Sequence, residues 1–145
     1  MLAKPCPLQT AKAHLWPSTL RMKRVRNNFN DALYRCSEKR ATLFVPNSYE
    51  EWNAIRKASP KAQLSWVGLA RFAVNEKFEE LPRWQTGGAV NAAEINWLIK
   101  PYNPLSNGYT WLANCVAHYN GLVEFESSSY TFYYPCSSKF ESICK

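Results

Sequence analysis

A chain of 145 residues is long enough for one domain with a buried core. Hydrophobic residues make up 46% of the sequence, and its six Trp, eight Tyr and seven Phe exclude an intrinsically disordered chain. No apolar run reaches the roughly 18 residues that a membrane-spanning helix needs, and the first residues lack the apolar stretch of a signal peptide. The net charge is +7, and residues 1–61 hold twelve of the eighteen Lys and Arg residues against four of the eleven acids.

The first part of the chain predicts an arm, a strand and a helix. Residues 1–14 have no clear hydrophobic period and predict a loose N-terminal arm, so the domain itself is expected over residues 15–145. From Leu15 to Val25, basic and apolar residues alternate, which favours a short strand. Asn27-Asn28 can then cap a helix. The apolar stripe of this helix has the spacing i, i+3, i+4 and i+7 and consists of Phe29, Ala32, Leu33 and Cys36.

A second helix lies between two predicted strands. The first strand is short and covers residues 41–45. Ser48 and Glu51 have the spacing of a capping box, in which the Ser hydroxyl accepts a bond from a helix amide and the Glu side chain reaches back. The helix ends before Pro60, and residues 64–69 form an apolar strand.

The sequence changes character after Trp84. For about thirty residues, Gly, Pro and Asn interrupt any hydrophobic period, which predicts a long loop, and a long structured loop in a compact domain is usually functional. Residues 114–119 then predict a strand, Asn120-Gly121 a hairpin turn, and the remainder of the chain up to residue 144 further strands. Two helices followed by several strands favour the α+β class.

Several blocks of the sequence, taken in order, resemble the C-type lectin-like domain family. The resemblance extends from about Leu15 to Lys145. The matching blocks are Phe29-Asn30-Asp31-Ala32 with Cys36, Trp66-Val67-Gly68-Leu69, Trp84-Gln85-Thr86-Gly87, Asn96-Trp97, Asn114-Cys115-Val116 and Ile143-Cys144. The resemblance implies the C-type lectin-like fold, which has two helices, two small antiparallel sheets and a long loop region, held together by disulfides.

Four of the five cysteines fit the disulfide pattern of this family. The resemblance implies the pairs Cys36–Cys144 and Cys115–Cys136, whereas the sequence alone leaves other pairings, or buried thiols, open. Three alternatives remain for Cys6: a disulfide that links two chains into a dimer, a bond to a cysteine elsewhere, or a free thiol. Paired cysteines favour an oxidising compartment, so we expect an extracellular domain, either secreted or part of a membrane protein.

Sugar-binding members of the family hold calcium with side-chain oxygens from the long loop and the following strand, because Ca²⁺ prefers about six to eight oxygen ligands. At the corresponding positions this chain has Lys100-Pro101-Tyr102 and Thr131-Phe132-Tyr133, with Ala113 or Asn114 in place of an acid. The only acid between residues 85 and 114 is Glu94. We therefore expect no metal site, no cofactor and no calcium-bridged sugar binding.

The long loop carries the predicted ligand-binding residues. They are Lys100, Tyr102, Asn103, Asn107, Tyr109 and Trp111. Aromatic side chains on a structured loop supply contact area at a low entropic cost, as in binding hot spots. The alternative is that Trp97 and Trp111 pack the loop onto the core. We predict a recognition domain that binds a protein or glycoconjugate partner through this loop without calcium.

Closely spaced cations before the first helix predict a different function. Arg21, Lys23, Arg24 and Arg26 have a spacing associated with sulfated polysaccharides, which basic surfaces bind by neutralising charge and releasing counterions. An ordinary solvated surface is the alternative. No nucleic-acid motif accompanies the charge, so no nucleic-acid partner is expected. A structural role in an extracellular matrix or coat is a third hypothesis.

No catalytic residue is predicted. The sequence contains neither a Gly-x-Ser-x-Gly nor a His-Glu-x-x-His motif. His118 lies on a predicted strand and is interpreted as a sheet histidine. We therefore do not expect an enzyme.

Overall fold

The computed structural model of the chain describes residues 25–71, 81–123 and 128–145. The predicted arm over residues 1–14 and nearly all of the strand predicted from Leu15 to Val25 lie outside these ranges. The elements in chain order are α1 (Phe29–Glu38), α2 (Tyr49–Ala58), β1 (Gln63–Ala70), β2 (Arg83–Trp84), β3 (Cys115–Asn120), β4 (Tyr130–Tyr134) and β5 (Glu141–Ser142). Within the described ranges, no helix combines the length and the apolar character that crossing a membrane requires.

Helix α1 begins where the sequence predicts it. The Asn28 side chain accepts a hydrogen bond from the Asp31 amide at 2.8 Å, which satisfies one of the amides that a helix start leaves unpaired. Phe29, Ala32 and Cys36 are buried on one face of the helix. The apolar stripe therefore packs against the sheet, as its helical spacing predicts.

Helix α2 has the predicted capping residues, with one difference in the second bond. The Ser48 hydroxyl accepts from the Glu51 amide at 3.0 Å, as in a capping box. The Glu51 carboxylate accepts from the Asn47 amide at 2.7 Å, one residue further back than the usual partner. Lys145 Nζ also lies 2.8 Å from Glu51 Oε1, so this ion pair ties the end of the chain to the start of α2.

The strands form one mixed sheet. Its order is β2-β1-β3-β4, with antiparallel neighbours, and β5 pairs with β1 in the parallel direction. Two helices followed by this sheet confirm the predicted α+β class. The two small sheets that the resemblance implied are joined within the described residues, because β1 pairs with β2, β3 and β5.

Three predicted elements differ from the structure in extent. Residues 41–45 make only an isolated bridge, between Leu43 and Cys144, instead of a strand. The final strand is short and covers Glu141–Ser142. Strands β3 and β4 form the predicted hairpin, but the connection from Asn120 to Tyr130 is longer than the two-residue turn that Asn-Gly favours.

Each face of the sheet carries a separate core. The α1 side buries Phe29, Trp66 and Ala117, and the α2 side buries Trp52 and Val67, each with further apolar neighbours. The two disulfides implied by the resemblance are present, Cys36–Cys144 and Cys115–Cys136. The first bond joins α1 to the end of the chain, and the second joins the start of β3 to the segment that follows β4. Both bonds therefore lie in the core on the α1 side of the sheet.

Candidate functional site

The region between β2 and β3 is the predicted long loop. It contains two short 3₁₀ turns, Ala92–Glu94 and Leu105–Asn107, and is otherwise irregular. Its residues therefore depend on side-chain hydrogen bonds and packing, rather than on a regular backbone ladder, for their positions. Four local arrangements define the shape of this loop.

The first arrangement is a tight turn that presents Trp111 and Leu112 to solvent. The backbones of Thr110 and Ala113 exchange two hydrogen bonds, at 3.1 and 3.0 Å. The Thr110 hydroxyl accepts from the Leu112 amide at 3.2 Å and from the Ala113 amide at 3.0 Å. The turn is thus held from both sides, while Trp111 is 80% exposed and Leu112 is 62% exposed.

The second arrangement is centred on the buried side chain of Asn107. Its Oδ1 accepts from the Ile99 amide at 2.9 Å, and its Nδ2 donates to the carbonyls of Ile99 and Asn103 at 3.0 and 2.9 Å. Asn103 in turn accepts from the Leu105 amide at 2.9 Å. One fully buried amide side chain therefore joins two distant stretches of the loop, while Ile99 and Leu105 remain exposed.

The residue after this 3₁₀ turn has to be a glycine. Gly108 adopts a left-handed conformation with φ of 87°, which L side chains rarely adopt. A Cβ atom at this position would also collide with the ring of Phe132 on β4. A side chain at this position would therefore push the loop away from Phe132.

The third arrangement is an aromatic cluster that packs the loop onto β4. The hydroxyl oxygens of Tyr102 and Tyr133 lie 2.8 Å apart, and the ring of Tyr109 meets that of Tyr133 edge-on at 5.3 Å. The guanidinium of Arg71 lies over the Tyr109 ring, 4.6 Å from its centroid. Burial, together with the hydrogen bond to Tyr102, raises the pKa of Tyr133, so the Tyr133 phenol stays neutral and holds the loop by packing and hydrogen bonding.

The fourth arrangement is a buried polar junction at Asn96. Its Oδ1 accepts from Trp52 Nε1 and from the Thr131 hydroxyl, both at 3.0 Å. Its Nδ2 therefore faces His118 Nε2, at 3.1 Å. Burial, followed by the charge of Arg56, lowers the pKa of His118 to about 3. His118 is thus a neutral, fully buried acceptor within the fold, which agrees with its interpretation as a sheet histidine.

The positions that hold calcium in sugar-binding relatives carry a different set of side chains here. Lys100 is exposed, Tyr102 is bonded to Tyr133, and the Thr131 hydroxyl is bonded to Asn96. Glu94 accepts hydrogen bonds from Tyr49 and from Asn91. Across the described part of the chain, no three His, Cys, Asp or Glu residues form a group that could hold a metal ion. These residues do not fit the oxygen-rich ligand set that Ca²⁺ prefers.

Comparison with known proteins identifies the family. A family model described as the lectin C-type domain matches residues 25–145. The chain belongs to the C-type lectin domain family. Its matched region covers both disulfides, the sheet and the long loop.

Curated relatives from nematodes are similar in sequence. C-type lectin domain-containing protein 91 of Caenorhabditis elegans is 53% identical over 117 residues, which cover 81% of this chain and 52% of that protein. C-type lectin domain-containing protein 87 of Caenorhabditis briggsae is 49% identical over 146 residues, which cover 99% of this chain and 60% of that protein. The chain thus spans about half to three-fifths of the length of these C-type lectin relatives.

Solved structures show the same C-type lectin fold at low sequence identity. The C-type lectin domain of murine dendritic cell inhibitory receptor 2, in complex with N-glycan, has a TM-score of 0.63 and 18% identity, and the match covers 84% of each chain. A calcium-independent type II antifreeze protein has a TM-score of 0.57 and 19% identity, with 84% of this chain and 80% of that chain covered. At these identities the likeness concerns the fold alone.

The predicted ligand-binding residues of this C-type lectin domain separate into two groups. Lys100, Asn103 and Trp111 are exposed. Tyr102 is half-buried, and Asn107 and Tyr109 are buried, so these three side chains shape the loop from inside. Ligand contact therefore stays a prediction for the exposed group, whereas Asn107 and Tyr109 offer almost no side-chain surface to a ligand.

Sequence reasoning missed four exposed apolar residues of the same loop. They are Leu98, Ile99, Leu105 and Leu112, which are between 45% and 62% exposed. One signal in the sequence could have revealed them. They lie in a stretch without helical or strand periodicity, so no helix or strand turns their apolar side chains toward a core. With Trp111, five apolar side chains of the loop are exposed.

The predicted polyanion-binding residues are only partly covered by the structure. Arg21, Lys23 and Arg24 lie outside the described residues. Arg26 is exposed, and its Nη2 donates to Gln63 Oε1 at 3.0 Å. Cys6 also lies outside the described residues, and the four described cysteines form two bonds within one chain, so nothing here supports a disulfide-linked dimer.

Proposed function

We propose that this C-type lectin domain is an extracellular recognition module that binds a protein partner through the outer surface of its long loop, without calcium. The observation that carries the proposal is Trp111, which is 80% exposed on a hydrogen-bonded turn. Trp is enriched among binding hot spots, because its large side chain supplies much apolar contact area. The module performs no catalysis.

Other exposed apolar residues of the same loop support a protein partner. Leu112 follows it directly, and the same loop exposes Leu98, Ile99 and Leu105. An exposed apolar surface with a polar rim is typical of a protein-binding site. Lys100 and Asn103 lie between these apolar residues in the sequence and would supply the rim. The surface is apolar where a sugar site would need many hydrogen-bonding groups.

The internal bonds of the loop support recognition by a preformed surface. Asn107 joins Ile99 to Asn103, and Thr110 closes the turn beneath Trp111. A loop that is already held in one conformation loses little conformational entropy when a partner binds. Affinity then comes from desolvating the apolar side chains rather than from ordering the loop.

The side chains at the family's ligand positions support calcium independence. A cation, Lys100, stands at the first of them, and electrostatic repulsion opposes Ca²⁺ there. The nearby carboxylate, Glu94, is engaged by Tyr49 and Asn91. The extracellular location is supported by the family, whose members are typically extracellular or on the cell surface, and by two disulfides.

Binding to a panel of purified nematode secreted and cell-surface proteins tests the proposal. The wild-type chain is compared with Trp111→Ala and with Leu122→Ala, which removes an equally exposed apolar side chain from the β3–β4 connection. We expect at least one partner whose binding survives EDTA, falls about ten-fold or more with Trp111→Ala, and is unchanged by Leu122→Ala. Binding that requires calcium, or equal losses for both variants, would refute the proposal.

A glycan array measured with calcium and with EDTA tests the rival ligand class. The protein-partner proposal predicts no glycan binding that depends on Trp111. A glycan bound through Trp111 in EDTA would replace the protein by a sugar as the ligand of this loop. A glycan bound only with calcium would contradict the proposed mechanism as well.

A further inference from the structure

Four exposed cations from separate parts of the chain lie at one end of the sheet, where β1 begins and β3 ends. They are Arg26, Lys57, Lys61 and Lys139. The sequence pattern pointed only to Arg26 among them. The other three come together through the tertiary structure, as the contacts of Gln63, Asn120 and Phe140 show.

Arg26 and Lys61 are placed by contacts at the start of β1. Arg26 Nη2 donates to Gln63 Oε1, the first residue of β1, at 3.0 Å. Lys61 lies two residues before Gln63, in a turn whose next residue, Ala62, donates its amide to the Asn120 carbonyl at 2.6 Å. Both cations are therefore attached to the same end of the β1–β3 pair.

Lys57 and Lys139 are held at this end by Asn120 and by Asn27, respectively. Asn120 Nδ2, at the end of β3, donates to the carbonyls of Lys57 and Ser59 at 3.3 and 2.7 Å. Lys139 precedes Phe140, whose backbone exchanges two hydrogen bonds with that of Asn27, the residue after Arg26. Backbone and side-chain hydrogen bonds thus connect the segments that carry the four cations.

Among the described residues, Glu141 is an acid next to this surface, and it is turned inward. Glu141 follows Lys139 by two residues and is only 8% exposed. It pairs with Ser65 in the sheet, and Ser65 is buried as well. Solvent at this end of the sheet therefore meets the cations and not the Glu141 carboxylate.

We propose that this basic end binds a sulfated polysaccharide. Such a chain presents anionic groups at repeated intervals, and cations that the fold holds close together neutralise several of them and release their counterions. This site is separate from the loop proposed above. Trp111 lies shortly before Cys115, which pairs with Ala70 at the far end of β1. That end is about 23 Å along the strand from Gln63.

Heparin binding of the full chain at several salt concentrations tests this inference. The variant Lys61→Gln/Lys139→Gln removes two cations of the surface. The control Arg40→Gln/Arg83→Gln removes the same charge from exposed positions away from it. We expect the first variant to bind heparin about ten-fold more weakly and to lower the slope of log K against log salt by about two, with the control close to wild type. Equal losses for both pairs would mean a response to net charge alone and would overturn the proposal.

Three further comparisons separate this inference from its rivals. If only Lys23→Gln/Arg24→Gln weakens heparin binding, the linear segment suffices and the folded surface is refuted. Unsulfated heparosan should bind far more weakly than heparin. If a single-stranded DNA of similar charge binds as tightly as heparin, the site is a general polyanion site and the assignment is overturned. Trp111→Ala should leave heparin affinity unchanged, so that failure of the loop proposal and failure of this one remain distinguishable.

Discussion

Asn96 Nδ2 lies 3.1 Å from His118 Nε2, and this bond ties the long loop to β3. The two donors on Asn96 Oδ1, from Trp52 and Thr131, leave only the amide nitrogen to face the histidine. His118 must therefore accept at Nε2 and carry its proton on Nδ1. A second proton on the ring would set two donors against each other at a site without solvent.

The stability of the domain should fall with acidification because of His118. Its pKa is about 3 in the folded state against an ordinary 6.5, so below pH 6.5 the unfolded chain takes up a proton that the folded one does not. The full stability is present above pH 6.5 and is lost as the pH falls toward 3. Between pH 7.5 and 5 we expect the free energy of unfolding to drop by about 2 kcal/mol.

Urea unfolding at a series of pH values measures this effect. Between pH 7.5 and 5, where carboxylates contribute little, His118→Gln should abolish most of the pH dependence of the free energy of unfolding. His14→Gln changes the chain's other histidine and should leave the slope intact. An unchanged slope in His118→Gln would show that another group is responsible.

Asn107→Ala should loosen the long loop. The substitution leaves the amide of Ile99 and the carbonyls of Ile99 and Asn103 without their side-chain partner, and removing a partner of a buried polar group costs about 1–3 kcal/mol. Asn103→Ala should cost less, since Asn103 is exposed and water can replace it. Hydrogen exchange at the Ile99 amide tests the comparison, and equal protection in both variants would contradict it.

Truncating the two tryptophans of the loop should change the stability of the domain by very different amounts. Trp111→Ala should change the free energy of unfolding by no more than about 0.5 kcal/mol, because its side chain is 80% exposed. Trp97→Ala should cost about 3–5 kcal/mol, because Trp97 is buried against Tyr102 and Tyr133. Thermal and urea unfolding provide the measurement. A large loss for Trp111→Ala would assign it to the core.

The disulfides should differ in their contribution to stability. Cys36–Cys144 closes a separation of 108 residues and Cys115–Cys136 one of 21. In the chain-entropy model these loops restrict the unfolded state by about 5 and about 3 kcal/mol. Replacing each pair by alanines and comparing unfolding free energies tests the order. A greater loss for the shorter loop would mean that native packing outweighs chain entropy.

Calcium should not stabilise the domain. An ion that binds only the folded state must raise the melting temperature of the protein. The residues at the family's calcium positions include Lys100 and no carboxylate. Melting curves in millimolar CaCl₂ and in EDTA should therefore coincide. A shift of several degrees, absent with MgCl₂, would reveal a calcium site and count against the proposed mode of recognition.

Local features were predictable where nearest neighbours along the chain decide them. Asn28 and Ser48 cap their helices through amides three residues away, so spacing alone locates both bonds. The strand predicted over residues 41–45 is reduced to a single bridge, because its pairing with the end of the chain stops after the hydrogen bonds of Thr42 with Lys145 and of Phe44 with Ile143. Pairing between distant segments is not visible in a local pattern.

The composition and order of residues determined the helical stripes, the caps, the position of the long loop and the family to which the chain belongs. Only the tertiary structure decided that Tyr109 faces Tyr133 and Arg71 while Trp111, two residues later, faces solvent. It also decided that Lys61 and Lys139 gather beside Arg26. The physical reason is that exposure and proximity depend on contacts between residues far apart in the chain, whereas caps and periodicity depend on residues within a turn or two.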